Sequence, residues 1–388
     1  MVDSTGSESY SYDPGGRVTQ LSKTISGQTY KIGYQYDAAG NVTQITYPSG
    51  RVVQQAYNAV GQLCEIAPTA MDCYDSSYYA GGFHYNSPGN LTGFTYGNGV
   101  TAASYYSPDR SQLTYLAYGK GSSTYFNLQY SYQQNSPYSP PCSHGTVGNN
   151  GTVQCITDNV DTGRSTNYGY DPLRRMITAQ TCGSPSFSQW GVSESYDRFG
   201  NRLSQSLTAG SGPQTNMSFN NNNQPVGYTY DASGNMTVEP LAPPNRMSYD
   251  GENRMSTFNG IGGAASYAYD GNGLRVAKSV SGGTATVSVY TGSSVIAEYE
   301  NGAAPSVPTR EYVTGPSGLL AMFSGGTTTY YHQDHLSVRL TTDGTVGSPT
   351  FGQVISQEGH FPFGEQWYSA GPENKWAFTT YRRIRRAV

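Results

Sequence analysis

The sequence predicts an all-β protein in which successive β-hairpins pair into a long, curled antiparallel sheet that forms a spiral or a partial hollow shell. Three observations predict this fold. Of the 388 residues, 48 are Gly and 21 are Pro, two residue types that break helices. Tyr, which favours strands, occurs 35 times, whereas charged residues make up only 12% of the chain. A Tyr-x-Tyr-Asp-x-x-Gly pattern recurs about every twenty residues, with insertions.

The recurring pattern predicts one hairpin per copy. The clearest copies span residues 10–18, 34–42 and 228–236. Looser copies have Asn58, Asn86, Asp171, Asp197, Asp250 and Asp270 at the Asp position. The two Tyr share one face of a strand, and Asp at the first corner with Gly at the fourth is typical of a type I turn. Isolated hairpins are marginally stable and large sheets twist, so neighbouring hairpins are expected to pair into one curling sheet with a thin wall and no single large core.

The repeated units resemble the YD repeats of the rearrangement-hotspot (RHS) family, and the resemblance extends from Tyr10 to about Trp376. The segment 330–343, Tyr-Tyr-His-Gln-Asp-His-Leu-Ser-Val-Arg-Leu-Thr-Thr-Asp, is similar to the conserved core of that family. The segment 360–365, His-Phe-Pro-Phe-Gly-Glu, is similar to the continuation of this core. The chain departs from the family at Ser337-Val338, where Gly is usual.

The resemblance implies a structural, non-catalytic fragment of a hollow β-shell, which in the family encapsulates and delivers a variable C-terminal domain, often a toxin. The implied partners are this toxin or cargo domain, which the chain lacks, and the remaining segments of the shell. The implied location is secreted or at the surface of a bacterial cell. The Asp-Pro self-cleavage motif of the family is not found, because Asp13-Pro14 and Asp171-Pro172 lie inside repeat turns.

The expected organisation follows the repeats. Residues 1–300 form the hairpin array, with an inserted loop at about 136–151, and residues 301–376 form the hairpins similar to the RHS core. Residues 377–388 depart from the family and end in a basic run, which predicts a disordered tail produced by truncation or a frameshift.

The composition excludes two classes of partner. A net charge of −4 disfavours a nucleic-acid-binding surface, because such a surface needs an excess of Lys and Arg. No apolar run approaches the 18 or more residues of a membrane span. The N-terminus has no signal-peptide pattern, so export would depend on a signal or machine outside this chain.

No catalytic, cofactor-binding or metal-binding residue is expected. His332 and His335 lie three positions apart, so on a strand their rings would point to opposite faces. His84, His144 and His360 are isolated, and nearly all Asp residues occupy turn corners. The alternative function is a carbohydrate-binding or adhesive surface module, in which exposed Tyr, helped by Trp190, Trp367 and Trp376, would stack on cell-surface glycans.

Five cysteines occur without a Cys-x-x-Cys spacing, which disfavours zinc. Cys64 with Cys73, and Cys142 with Cys155, each flank a segment of turn-forming residues. These spacings suit two disulfides that clamp hairpins, which would require an oxidising compartment, and free thiols are the alternative. Cys182 is left unpaired.

Overall fold

The regular secondary structure of the described residues is almost entirely β-strand. The computed structural model describes residues 2–69, 72–75, 77–134, 147–241 and 243–376. Within these ranges the only helical element is a 3-10 turn at Thr162–Arg164. No helix in the same ranges is long and apolar enough to cross a membrane.

The first half of the chain forms one antiparallel sheet, here called sheet 1. Each strand of this sheet pairs with the strand of the same sheet that precedes it in sequence and with the one that follows it, so the hairpins follow one another along the sheet. Its 18 strands, in the described residues, are β1 (Val2–Asp3), β2 (Gly6–Tyr12), β3 (Val18–Ile25), β4 (Gln28–Tyr36), β5 (Val42–Thr46), β6 (Val52–Tyr57), β7 (Leu63–Ala67), β8 (Ala80–Tyr85), β9 (Leu91–Tyr96), β10 (Thr101–Tyr106), β11 (Leu113–Lys120), β12 (Ser123–Ser131), β15 (Cys155–Asp158), β16 (Thr166–Tyr170), β17 (Met176–Thr181), β18 (Gly191–Tyr196), β19 (Arg202–Ala209) and β20 (Thr215–Asn216). A separate pair is formed by β13 (Gln133–Gln134) and β14 (Val147–Asn149).

The second half forms sheet 2 in the same way. Its 14 strands, in the described residues, are β21 (Thr229–Tyr230), β22 (Met236–Glu239), β23 (Asn245–Tyr249), β24 (Met255–Gly260), β25 (Gly263–Tyr269), β26 (Arg275–Val280), β27 (Ala285–Thr291), β28 (Ser294–Glu300), β29 (Arg310–Gly315), β30 (Gly318–Ser324), β31 (Thr327–Gln333), β32 (Val338–Asp343), β33 (Val354–His360) and β34 (Gln366–Ala370). Neither sheet closes on itself, because its first and last described strands are not paired with each other.

The prediction of an all-β array of paired hairpins is confirmed, but the array is two sheets rather than one. The ladder stops after the two-residue strand β20 and resumes at the two-residue strand β21. Between them lies the Asn-rich turn Asn220–Gln224, flanked by one isolated bridge from Phe219 to Pro225. Asn and Pro are depleted in strands, which explains the break here.

The expectation of a thin wall without a large core is wrong. Sheets 1 and 2 pack against each other around one continuous core. Sheet 1 contributes alternate residues to it, such as Tyr30 and Ile32 of β4 and Phe126 and Leu128 of β12. Sheet 2 contributes aliphatic residues of β26–β32 together with Tyr299 and Tyr330. Because side chains alternate along a strand, one face of sheet 1 can be apolar while the chain as a whole stays poor in aliphatic residues.

Two predicted segments fall largely outside the described residues. They are the inserted loop at about 136–151, of which 147–151 are described, and the tail 377–388. Sheet 2 runs through residue 300, and the domain boundaries placed at 300 and 376 stay predictions.

Candidate functional site

The repeat turns that begin with Asp are held by the Asp side chain. In the turn after β4, the Gly40 amide donates to the Asp37 carbonyl at 3.2 Å, and Gly40 has a φ of 90°. The Asn41 amide donates to Asp37 Oδ1 at 2.9 Å, and Asn41 Nδ2 donates to Oδ2 at 2.8 Å. The Asn41 side-chain bond is the main cause that lowers the pKa of Asp37. The carboxylate thus serves the turn, with the positive φ that Gly tolerates.

The same arrangement recurs in other turns. In each, the residue four positions after the Asp donates a backbone amide to Oδ1 and a side-chain nitrogen to Oδ2. These pairs are Asp13–Arg17, Asp171–Arg175, Asp197–Asn201, Asp231–Asn235 and Asp250–Arg254. The fifth residue of the turn is therefore part of the repeat. Arg or Asn recurs at this position in the sequence, but the prediction of a type I turn assigned a role only to the Asp and the Gly.

In many units the second Tyr links its repeat to the preceding one. Tyr36 Oη donates to the Val18 carbonyl at 2.8 Å, and Tyr57 Oη donates to the Val42 carbonyl at 3.0 Å. In both cases the acceptor is the first residue after the preceding turn. Equivalent bonds are made by Tyr85, Tyr132, Tyr170, Tyr196, Tyr249, Tyr269 and Tyr290. Tyr is needed at this position because it alone combines a strand-forming ring with a hydroxyl at the required distance.

Arginines at the fifth turn position extend the same linkage. Arg17 Nη1 donates to the Asp37 carbonyl at 2.8 Å, and its guanidinium lies 5.0 Å from the centre of the Tyr36 ring. Arg175 repeats both contacts with Asp197 and Tyr196. Neighbouring turns are thus connected by side chains as well as by strand pairing.

One turn departs from the repeat and connects the two sheets. The residue four positions after Asp270 is Leu274, which has no polar side chain to offer Oδ2. Lys23 of β3 binds that oxygen instead, and Lys23 Nζ also lies 2.6 Å from Glu8 Oε1. All three side chains are at most 4% exposed. Burial alone would lower the pKa of Lys23, but the bonds from Asp270 and Glu8 raise it, so the ammonium stays charged.

Further polar contacts join sheet 1 to sheet 2 along the line where the two sheets meet, here called the inter-sheet seam. Arg51 Nε binds Glu311 Oε2 at 2.6 Å, and its guanidinium lies 3.8 Å from the Phe323 ring centre. Asn98 Nδ2 donates to Thr342 Oγ1 at 2.7 Å. The tyrosines Tyr47, Tyr96 and Tyr118 donate their hydroxyls to the carbonyls of Tyr312, Tyr331 and Gln333. The seam combines these directional contacts with the apolar core.

The segment similar to the RHS core lies at this seam. Arg339 Nη1 binds Asp334 Oδ2 at 3.1 Å, and Arg339 Nη2 donates to Tyr368 Oη at 3.4 Å. From sheet 1, Arg164 reaches the same Tyr368 hydroxyl at 3.5 Å and binds Asp158 at 2.8 Å. Burial alone would raise the pKa of Asp334, but the charge of Arg339 and two backbone amides hold it below its usual value. Two ion pairs therefore face a shared tyrosine across the sheets.

Comparison with known proteins identifies the family. The RHS Repeat family model matches residues 22–52 and 36–68. Over 151 residues, the chain is 32% identical to the tRNA3(Ser)-specific nuclease WapA of Bacillus spizizenii, an overlap of 36% of this chain and 6% of WapA. The chain is an RHS-repeat protein.

Solved structures share the fold of this RHS-repeat protein. The TcdB2-TccC3 crystal structure matches with a TM-score of 0.77 and 17% identity, covering 98% of this chain and 22% of that one. A Tc holotoxin pore from Photorhabdus luminescens matches with a TM-score of 0.71 and 18% identity, covering 93% and 20%. The chain thus spans about a fifth of these relatives.

The histidines of the RHS core segment have separate structural contacts. His332 is fully buried, with its ring 4.5 Å from Tyr96 and 4.9 Å from Tyr118, and its Nε2 is 2.8 Å from Thr342 Oγ1. Burial lowers the pKa of His332 to about 3, so the ring is neutral. His335 is exposed, with Nδ1 3.1 Å from Tyr130 Oη. In the described residues, no group of three or more His, Cys, Asp or Glu could hold a metal ion.

The remaining histidines and the tryptophans have different exposures. His84 is exposed, the His360 side chain is only 3% exposed and lies 4.0 Å from Glu358, and His144 lies outside the described residues. Trp190 is buried, 4.9 Å from Phe361 and 5.8 Å from Trp367. Because its ring is covered by these neighbours, Trp190 offers no face to a sugar.

One of the two predicted disulfides is confirmed. Cys64 and Cys73 are bonded, with Cα atoms 5.3 Å apart. The pairing of Cys142 with Cys155 is wrong, because Cys155 is a buried free thiol, whereas Cys182 is disulfide-bonded. Cys142 lies outside the described residues. Loop spacing favoured Cys155, but β15 is paired on both sides, with Cys155 opposite Ser131 of β12 and Asn167 of β16, and Cys155 is fully buried.

Proposed function

We propose that this RHS-repeat protein is a non-catalytic segment of a shell wall, and that the complete shell encloses a toxin or cargo domain. The observation that carries the proposal is the double linkage of the wall. Tyr hydroxyls connect successive repeats within each sheet, and buried ion pairs and a core join the two sheets. Such a wall resists local opening, which a container needs.

Catalysis would belong to other parts of the complete protein. The polar clusters that could suggest chemistry, such as the turn Asp residues and the pair Asp334–Arg339, already have structural partners. The match to WapA covers only 6% of that nuclease, so the nuclease activity of WapA is no argument for catalysis by this segment.

The proposed location is outside the cytoplasm of a bacterial cell. The Cys64–Cys73 disulfide supports it, because such bonds persist in oxidising compartments. The proposed partners are the cargo domain and the remaining shell segments.

Protease protection of the cargo tests the proposal. A protease site is placed in the cargo domain of the longest natural form of the protein, and cleavage is compared between the unaltered wall and Lys23→Met. Lys31→Met is the matched control, because Lys31 is an exposed residue of the neighbouring strand β4. We expect slow cleavage with the unaltered wall and with Lys31→Met, and fast cleavage with Lys23→Met. Fast cleavage in all three proteins would contradict enclosure.

A further inference from the structure

A cleft of about 790 Å³ lies along the turn ends of β25–β32 in sheet 2. Its walls include the aromatic side chains of Tyr269, Tyr290 and Trp376. Hydrogen-bonding side chains line it as well, among them Ser293, Thr314 and Gln333. The volume falls within the range of ligand pockets, and a few polar groups among aromatic walls are typical of such pockets.

Arg275 gives the cleft a charge that the protein does not balance. Its side chain lines the cleft and lies 5.2 Å from the centre of the Tyr267 ring. The arginines of the repeat turns bind the Asp of their own turn, as Arg17 and Arg175 do. Among the described residues, no carboxylate lies within ion-pair distance of Arg275. A half-buried guanidinium in this situation is suited to bind a carboxylate from a ligand.

The shape of the cleft indicates an elongated ligand. The cleft crosses the turn ends of four successive hairpins, at 269–275, 290–295, 314–319 and 333–338. Neighbouring hairpins lie two strand spacings apart, about 10 Å, so the cleft extends over roughly 30 Å. A linear chain of several units fits this length better than one compact molecule.

The chemistry of the cleft selects among linear chains. An extended peptide would need an open strand edge, but β25–β32 are each paired on both sides. A nucleic acid would need several cations, whereas the cleft offers one and the whole chain carries −4. Aromatic faces, hydroxyl and amide groups and a single guanidinium together match a saccharide that bears carboxylates.

We propose that this cleft binds a segment of an acidic, uronate-type polysaccharide, with Arg275 pairing a carboxylate. The tyrosines of the cleft contribute their rings, because the Tyr269 and Tyr290 hydroxyls are bonded to backbone carbonyls. This site goes beyond the shell role and does not depend on it. It also differs from the exposed-Tyr ladder expected from the sequence.

Titration calorimetry with the full chain tests the site, with polygalacturonate as the probe and neutral dextran as its comparison. We expect saturable binding of polygalacturonate only. Arg275→Gln should weaken it at least about tenfold, the loss expected for one charge-assisted pair. Arg246→Gln is the matched control, because Arg246 is exposed on β23, outside the cleft, and should bind like the unaltered chain.

A second pair of variants tests the site without changing Arg275, in case Arg275→Gln disturbs folding. Ser293 is exposed at the cleft, so Ser293→Glu should abolish binding by repulsion while Ser293→Lys retains it. Equal affinity of Arg275→Gln and the unaltered chain would overturn the proposal. Absence of binding would overturn it too, as would equal binding of poly-glutamate, which would show an unspecific response to anions.

Discussion

Removal of the Lys23 ammonium should open the first hairpins of sheet 1. Lys23→Met keeps the unbranched chain, one heavy atom shorter, but leaves Glu8 and Asp270 without their cation. Both carboxylates are at most 3% exposed, so water cannot replace the lost partner. A buried pair that loses one member costs about 3–5 kcal/mol. A single pair at 4 Å is worth about 4 kcal/mol at an effective dielectric constant of 20, which agrees with that range.

Native-state hydrogen exchange is the appropriate assay, because a repeat array opens in parts and its stability is a sum of neighbouring units. The free energy of opening should fall by about 3–5 kcal/mol in β2, β3 and the 270–274 turn. Strands β17–β19, which pack in a separate cluster around Trp190, should change little. Lys31→Met should leave all of these values unchanged.

Restoring charge balance gives the sharper comparison. The triple variant Lys23→Met, Glu8→Gln, Asp270→Asn has no buried charge left at this place and should recover most of the lost protection. If Lys23→Met lowered the free energy of opening by less than about 1 kcal/mol, which is the contribution of an ion pair on the surface, the reasoning would be refuted. A triple variant as unprotected as the single one would refute it as well.

Three further predictions concern single positions. Tyr57→Phe should lower the free energy of unfolding in urea by about 1 kcal/mol, since it loses the bond to the preceding repeat, whereas exposed Tyr12→Phe should change it little. Gly40→Ala should cost about 1–2 kcal/mol in the same measurement because of its φ of 90°, while Gly251→Ala, equally free of neighbours but not at positive φ, should be near neutral. Burial raises the pKa of Glu194 in the folded protein to about 7. Between about pH 4.5 and 7 the Glu194 carboxyl is therefore ionised in the unfolded chain but still protonated in the folded one, so the free energy of unfolding should fall by about 3 kcal/mol over this range. Glu194→Gln should remove this fall, and an unchanged slope in a pH series of unfolding curves would contradict it.

The local structure could be predicted because its causes lie within a few residues. The Asp37 turn needs only an Asp, a Gly three positions later and alternating strands on either side, all visible in the sequence. The role of the fifth residue could also have been found, since Arg or Asn recurs there. The Cys64–Cys73 disulfide spans one short loop and was equally accessible.

The contacts that build the candidate site depend on distant residues. Lys23 and Asp270 are far apart in sequence, and only the packing of the two sheets brings them together. The same is true of Arg164 with Tyr368, and of the cleft around Arg275. No periodicity in the chain encodes which hairpin of sheet 1 faces which hairpin of sheet 2.

The sequence by itself determined the hairpin, its turn and the array, because strand alternation and turn chemistry act over short distances. The tertiary structure decided that the array divides into two sheets, that these share one core, and that Cys155 stays free. Those outcomes depend on how strand twist accumulates and on which faces meet, so they emerge only when the whole chain is folded.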